Sequence, residues 1–142
     1  MSTEPPQRPV LPEPLPPVLV VDAANTVGSR PDGWWRDRPG ATRRLRDRLA
    51  ATDLPGPWPE RPDVVLVVEG QARGVEPVPQ VAVTAADGSG DDEVVAVVRR
   101  LREQHRTVTV MTADRGLRAR VVALGADVVS TAVLDAGPRR HG

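Results

Sequence analysis

The sequence predicts an α/β protein, a three-layer α/β/α sandwich around a five-stranded, mostly parallel sheet. Two observations support this fold class. Short, continuous valine-rich runs are typical of strands that are buried on both faces of a sheet. Segments with helical periodicity alternate with these runs along the chain, which is the order that parallel βα units require. At 142 residues, the chain has the length of one domain of ordinary size.

Five runs are predicted to form the strands, and three segments are predicted to form helices. The strand candidates are VLVVD (18–22), VVLVVE (64–69), VAVTA (81–85), TVTVMT (107–112) and DVVST (127–131). The first helix, over 40–53, has Leu45 and Leu49 on one face, and the second, over 91–104, has a valine and leucine face. A third helix carries Leu117 and Val121 and is predicted to stop at Gly125.

The two ends of the chain differ in composition from this central part. Residues 1–17 contain seven prolines, and a stretch of this kind favours extended, polyproline-like conformations. We therefore expect a disordered, proline-rich tail over residues 1–16, a folded domain over 17–137 and a short flexible tail over 138–142.

Composition excludes several classes of site. There is no cysteine, so disulfides and zinc–thiolate sites are ruled out, and the two histidines are too few for a histidine-rich metal site. All 19 cationic residues are arginine and are balanced by 19 acids, which argues against extended, nonspecific nucleic-acid binding. The chain has no apolar run of about 18 residues and no secretory signal pattern. We expect a soluble, cytoplasmic protein without a membrane segment.

Acidic residues recur where the predicted strands end. Asp22, Glu69 and Asp114 follow the first, second and fourth strands. The carboxyl ends of parallel strands meet at one edge of the sheet, where α/β proteins bind their ligands. Asp91, Asp92 and Glu93 open a helix at the same predicted edge.

Each acid also has a structural explanation when it is taken singly. Asp92 stands three residues after Ser89, which is the spacing of a capping box, Asp22 could begin a turn, and Asp114 could cap the following helix. Taken together, however, carboxylates that converge on one edge would repel one another unless a divalent cation is bound. An all-oxygen site of this kind suits Mg²⁺ or Mn²⁺.

At these residues the sequence resembles the PIN-like nuclease superfamily, and particularly its NYN and YacP-like branch. The segment VLVVDAANTVG is similar to the opening strand of that branch, in which Asp22 and Asn25 match an Asp-x-x-Asn motif. GSGDDEVV resembles the segment in which an acidic pair begins a helix, and MTADRGLR resembles the segment that ends the fourth strand with Thr112, Asp114 and Arg115.

The resemblance implies an acidic pocket that binds Mg²⁺ or Mn²⁺ and cuts RNA phosphodiesters. The predicted catalytic residues and metal ligands are Asp22, Asp92 and Asp114, with Glu69, Asp91 and Glu93 as further candidate ligands. A cation held there would polarise a phosphate oxygen and lower the pKa of a bound water for in-line attack. The predicted substrate contacts are Asn25, Thr112, Arg115 and Arg118. The two arginines could bind phosphate in a bidentate manner, or they could simply form a solvated helix face.

A tryptophan pair adds a second candidate contact with RNA. Trp34 and Trp35 are two of the three aromatic residues in the chain, and Arg36 follows them directly. They could stack on bases of single-stranded RNA. Alternatively, at least one of them fills the core of a protein that lacks phenylalanine and tyrosine.

The leading functional hypothesis is therefore a metal-dependent ribonuclease with RNA as its partner. Two alternatives are a catalytically silent, RNA-binding PIN-like module and a nucleotide pyrophosphohydrolase that uses the same acids on a smaller substrate. Dimers are common in the resembled family, so a homodimer is a further expectation.

Overall fold

The computed structural model of the protein describes residues 15–29, 33–51, 54, 58 and 60–136. Five strands form one sheet: β1 (Val18–Asp22), β2 (Asp63–Val68), β3 (Val81–Ala85), β4 (Val108–Met111) and β5 (Asp127–Val129). The main helices are α1 (Ala23–Gly28), α2 (Arg38–Ala51), α3 (Gly90–Glu103) and α4 (Arg115–Ala123). Short 3₁₀ helices span Trp34–Arg36, Gly70–Gly74 and Thr131–Ala136. Apart from residues 15 and 16, the predicted tails lie outside the described residues.

The sheet has the strand order β3-β2-β1-β4-β5, and every neighbouring pair is parallel. The predicted fold class is confirmed. Because parallel pairs need a crossover connection, each step along the sheet passes over one of its faces. From the central β1, the chain builds outward to β2 and β3, then returns to β4 on the other side of β1. A topological switch point therefore lies between β1 and β4.

Alternation of side chains along the strands produces two cores. On one face, Leu19, Val21 and Leu66 pack against α1 and α2. On the other face, Val20 and Val110 pack against α3 and α4. Successive strand residues point to opposite faces, so continuous apolar runs such as VLVV supply both cores at once. This arrangement gives the three predicted layers.

The helix ends follow local capping chemistry. Ser89 accepts a hydrogen bond from the Asp92 backbone N–H at 3.3 Å, and Asp114 accepts one from the Leu117 N–H at 2.8 Å, so each residue caps the helix that follows it. Gly125, with a φ of 91°, stands just beyond the end of α4 as predicted.

The observed boundaries differ from the predictions in a few places. Strand β4 ends at Met111 and β5 at Val129, earlier than their apolar sequences suggest. Helix α2 begins at Arg38, two residues before the predicted start. Helix α1 is not predicted from the sequence, because its six residues are too few to show helical periodicity. Among the described residues, no helix combines the length and the apolar character needed to cross a membrane.

Candidate functional site

Acidic residues meet at the carboxyl edge of the sheet, around the switch point between β1 and β4. Asp22 is the last residue of β1, and Glu69 comes directly after β2. Asp114 lies between β4 and α4, while Asp91 is in the first turn of α3. The predicted convergence of these elements on one edge follows from the parallel registers of the strands.

Asp22 is the buried centre of this edge, with an exposed fraction of 4%. Its carboxylate accepts hydrogen bonds from the Asn25 backbone N–H at 3.3 Å and from the Thr112 hydroxyl at 3.2 Å. The pKa of Asp22 is raised to about 6, chiefly by burial and to a lesser degree by the negative charges of Asp91 and Glu69, while the two hydrogen bonds oppose this rise. Asp22 is therefore a carboxylate that would gain from a nearby cation.

Thr112 and Asn25 hold the ends of β1 and β4 together. The Thr112 hydroxyl donates to Asp22 and accepts from the Asp114 backbone N–H at 3.1 Å. The Asn25 side-chain oxygen accepts from the Ala113 N–H at 2.8 Å. Thr112 is completely buried, so its side chain positions the acids and is not open to a substrate, contrary to the predicted contact. Asn25 is half-buried and is already bound to the loop after β4.

Glu69 is fixed by the start of α3. Its carboxylate accepts a hydrogen bond from the Gly90 backbone N–H. A Cβ atom at position 90 would lie 2.9 Å from the nearer Glu69 carboxylate oxygen, which is closer than real Cβ atoms come. Glycine at this position is therefore what allows Glu69 to reach the helix terminus, where the helix dipole favours a negative charge.

The structure separates the acids of the Asp91–Glu93 run. Burial raises the pKa of Asp91, and the negative charges of Asp114 and Glu69 raise it further. Asp92 instead turns outward, where its carboxylate pairs with Arg120 of α4 at 3.0 Å and is 74% exposed. Asp92 is the acid that the sequence predicts as a ligand, yet it is Asp91 whose pKa is raised by the neighbouring charges of Asp114 and Glu69.

Three further members of the predicted site differ in position. Glu93 is half-buried on the same turn of α3. Arg118 extends from α4 toward the end of β4, where its Nε donates to the Thr112 carbonyl at 2.8 Å. Arg115, at the start of α4, is exposed. Arg118 therefore contacts the end of β4 beside the acidic edge, while Arg115 is exposed to solvent.

The two neighbouring tryptophans differ in burial, and one of them packs against the core, which was one of the two alternatives. Trp34 packs partly buried against the core, whereas Trp35 is 57% exposed. The guanidinium of Arg36 lies 5.8 Å from the centre of the Trp35 ring. Trp58, the third tryptophan, also packs partly buried against the same core.

These carboxylates are suitable ligands for a hard divalent cation, but their side chains are not arranged to coordinate one ion together. Carboxylate oxygens are the ligands that Mg²⁺ and Mn²⁺ prefer. Asp22, Glu69 and Asp114 are each engaged in a hydrogen bond within the protein. Within the described part of the chain, no three or more acidic or histidine side chains come close enough together to hold an ion. Binding would therefore require side-chain rearrangement.

Three residues at this edge escaped the sequence analysis. Gly90 leaves room for the Glu69 carboxylate, Arg120 forms an exposed ion pair with Asp92, and the Arg38 guanidinium lies 5.2 Å from the centre of the Trp34 ring. No local pattern marks the Arg120–Asp92 pair, because 28 positions separate the two residues. A glycine directly before an acidic run was the one usable signal for Gly90.

Comparison with known proteins identifies a shared fold. No family model matches the sequence, and no curated protein matches it. The structure is similar to the crystal structure of Rae1 (YacP) from Bacillus subtilis, with a TM-score of 0.62 and 18% sequence identity. The similarity covers 84% of this chain and 73% of the Rae1 chain. The chain therefore has a YacP-like fold.

Proposed function

We propose that this protein is a metal-dependent ribonuclease. The observation that carries the proposal is the position of Asp22. This buried carboxylate ends β1 at the switch point, and Asp91 and Glu69 act on it from α3 and from the end of β2. The YacP-like fold supports the same function, because the sequence resembles the YacP-like branch of the PIN-like nucleases at the residues around this site.

Asp22, Asp91 and Asp114 would hold Mg²⁺ or Mn²⁺, with Glu69 as a further ligand. When bound, the cation supplies Lewis-acid polarisation of a phosphate oxygen and a more acidic water. Thr112 and Asn25 keep the acids in place by joining the ends of β1 and β4. Arg118 projects its guanidinium toward the same edge, where it could contact an RNA phosphate.

A silent RNA-binding module is the second candidate, and a specific observation favours it. Asp22, Glu69 and Asp114 already serve as acceptors for backbone N–H groups. A fold that retained the acids only for these hydrogen bonds would bind RNA without cutting it. The two candidates differ in turnover, so an activity assay separates them.

The test compares turnover on single-stranded RNA, structured RNA and nucleoside triphosphates with Mg²⁺ or Mn²⁺. We expect RNA cleavage that Asp22→Asn and Asp91→Asn each abolish. Asp92→Asn is the matched control, because it removes the same charge one residue away and affects only an exposed ion pair. RNA binding without cleavage would support the silent module, and turnover of triphosphates alone would indicate a pyrophosphohydrolase.

Thermal unfolding with and without Mn²⁺ tests the metal site directly. A ligand that binds only the native state raises its stability as its concentration exceeds the dissociation constant. We expect Mn²⁺ to raise the melting temperature of the wild type and of Asp92→Asn, and to leave Asp91→Asn nearly unchanged. Equal shifts in the two variants would remove Asp91 from the site. The absence of any shift at millimolar Mn²⁺ would make the acids purely structural.

A further inference from the structure

An exposed aromatic surface lies beside the acidic edge. We call the 3₁₀ helix Trp34–Arg36 the tryptophan platform. The chain has three tryptophans and neither phenylalanine nor tyrosine, yet Trp35 leaves 57% of its surface exposed. Leu15, Trp35 and Val122 are the large hydrophobic side chains that the described residues leave most exposed, and Trp35 is the aromatic one among them. Core packing does not account for its position.

Trp34 supports the exposed Trp35 ring from the side of the core. The rings of Trp34 and Trp35 meet edge to face, with centroids 6.1 Å apart and planes at 89°. Trp34 itself packs against the core, and the Arg38 guanidinium lies 5.2 Å from its ring centre. Aromatic and cation–π contacts of this geometry are favourable. Trp35 is therefore presented to solvent on a supported surface.

The platform also adjoins one of the acids, Glu69. Trp34, Arg38 and Glu69 line one small cavity of about 20 Å³, together with Ala23, the residue that follows Asp22. Trp35 contacts the ring of Trp34, which in turn lines that cavity. If one nucleotide of an RNA strand is bound at the acidic edge, a neighbouring nucleotide of the same strand would thus reach the platform.

The charge around Trp35 complements a nucleic acid. Arg36 lies 5.8 Å from its ring centre, and Arg36 and Arg38 are both exposed. An exposed indole offers a stacking surface for any base, while nearby guanidinium groups attract phosphates. Bases in a duplex are already stacked on one another, so an indole can reach only an unpaired base.

From this geometry we infer that Trp35 stacks on an unpaired base of the RNA strand and gives the protein a preference for single-stranded RNA. This inference rests on the proposed function, because it assumes that the strand crosses the acidic edge. Arg36 would contact the phosphate beside the stacked base. Trp35 acts in substrate binding and takes no part in the chemical step.

Binding measured without divalent metal separates recognition from cleavage. The probes are a fluorescent single-stranded RNA, the same sequence as a duplex, and single strands that carry one abasic residue at successive positions. We expect the wild type to bind the single strand more tightly than the duplex. Trp35→Leu should weaken single-strand binding on the order of ten-fold, and Trp35→Phe should restore most of it. Val122→Ala, which alters another exposed apolar residue, serves as the control and should bind like the wild type.

The abasic strands identify the stacking contact itself. At one position, loss of the base should weaken wild-type binding by about the same factor as Trp35→Leu, while the variant should be insensitive to that loss. Additive effects at every position would overturn the inference, as would equal affinity of wild type and Trp35→Leu. Trp35-dependent binding without cleavage in Mn²⁺ would leave the inference standing and defeat the ribonuclease proposal. Cleavage of RNA that is unaffected by Trp35→Leu would support the ribonuclease proposal and overturn the inference about Trp35. If the protein bound no RNA at all, both proposals would be wrong.

Discussion

Asp22 is the residue on which the acidic edge depends. It is buried at 4% exposure, although an isolated buried carboxylate is strongly disfavoured. Its two donors, the Asn25 N–H and the Thr112 hydroxyl, offset only part of that cost, because burial still dominates its pKa. An acid kept in such a position at the expense of stability is typical of functional sites.

The first prediction concerns Asp22 and pH. Since the pKa of Asp22 rises from 3.8 to about 6 on folding, the folded state binds the proton more tightly than the unfolded state. Proton binding therefore stabilises the folded state fully below pH 4. This stabilisation is lost as the pH rises through about 6, and the total loss in the free energy of unfolding is about 3 kcal/mol. Asp22→Asn removes this loss. In metal-free urea unfolding, we expect the variant to be more stable than the wild type by about 1–3 kcal/mol at pH 7.5, and by far less at pH 4.5. An equal difference at both pH values would contradict the pKa assignment.

Thr112 provides the second prediction at the residue scale. Thr112→Val removes the hydroxyl that donates to Asp22 and accepts from the Asp114 N–H, which leaves the buried Asp22 carboxylate and the partly buried Asp114 N–H without that partner. We expect a loss of about 1–3 kcal/mol in the free energy of unfolding at pH 7.5. Thr112→Ser keeps the hydroxyl and should cost only about 1 kcal/mol, from the lost methyl group. If both variants were equally destabilised, packing rather than hydrogen bonding would explain the role of Thr112.

At the scale of elements, the helix termini bring the site together. Asp22 is the N-cap of α1 and Asp114 is the N-cap of α4, so two candidate ligands also cap helices. Helix α3 contributes its Gly90 N–H to Glu69 and its first turn to the acidic cluster. Capping and metal binding are thus compatible uses of the same acids, because each carboxylate oxygen has two acceptor sites and can accept a hydrogen bond while it also binds a cation.

The end of α3 carries the third prediction, away from the site. His105 follows the helix with a φ of 60°, a conformation that costs a side-chain-bearing residue roughly 1 kcal/mol. Gly125 fills the corresponding position after α4. We expect His105→Gly to raise the free energy of unfolding by up to about 1 kcal/mol, and His105→Ala not to raise it. Urea unfolding of both variants measures the difference. A gain from alanine as large as that from glycine would show that backbone strain is not the cause.

For the molecule as a whole, the parallel sheet places the acids and Arg106 at opposite edges. Its carboxyl edge gathers the acids, while its amino edge is closed by Arg106, which bonds to the Pro16 carbonyl and to Asp63. The two edges share the same two cores, and the hydrogen bonds of Arg106 go to Pro16 and Asp63 at the amino edge. Changes at the amino edge should therefore affect the free energy of unfolding and leave the acidic edge intact.

Arg106→Ala tests this separation. The Arg106 side chain is 12% exposed and makes hydrogen bonds of 3.1, 2.6 and 2.8 Å, so its loss should cost about 1–2 kcal/mol. Arg106→Lys, which keeps the charge but not the bidentate geometry, should lose less. We expect both variants to retain the wild-type shift of the melting temperature in Mn²⁺. A reduced shift would show that the two edges are coupled through the sheet.

The sequence by itself determined the elements and the edge. Continuous valine runs predict the buried strands, and apolar faces predict the helices. Both signals are local in sequence, so the bounds of β1, β3 and α3 are predicted to within a residue. The parallel arrangement follows from their alternation, and it places Asp22, Glu69 and Asp114 at one edge.

Only the tertiary structure decided which acids face one another. Adjacent residues on a helix point about 100° apart, so Asp91 and Asp92 differ in surroundings although they are neighbours in sequence. The phase of α3 against the sheet, and the position of Arg120 on α4, set that choice. The same holds for Trp34 and Trp35, one of which packs on the core while the other is exposed. These outcomes depend on contacts between residues that are distant along the chain, and no local pattern encodes them.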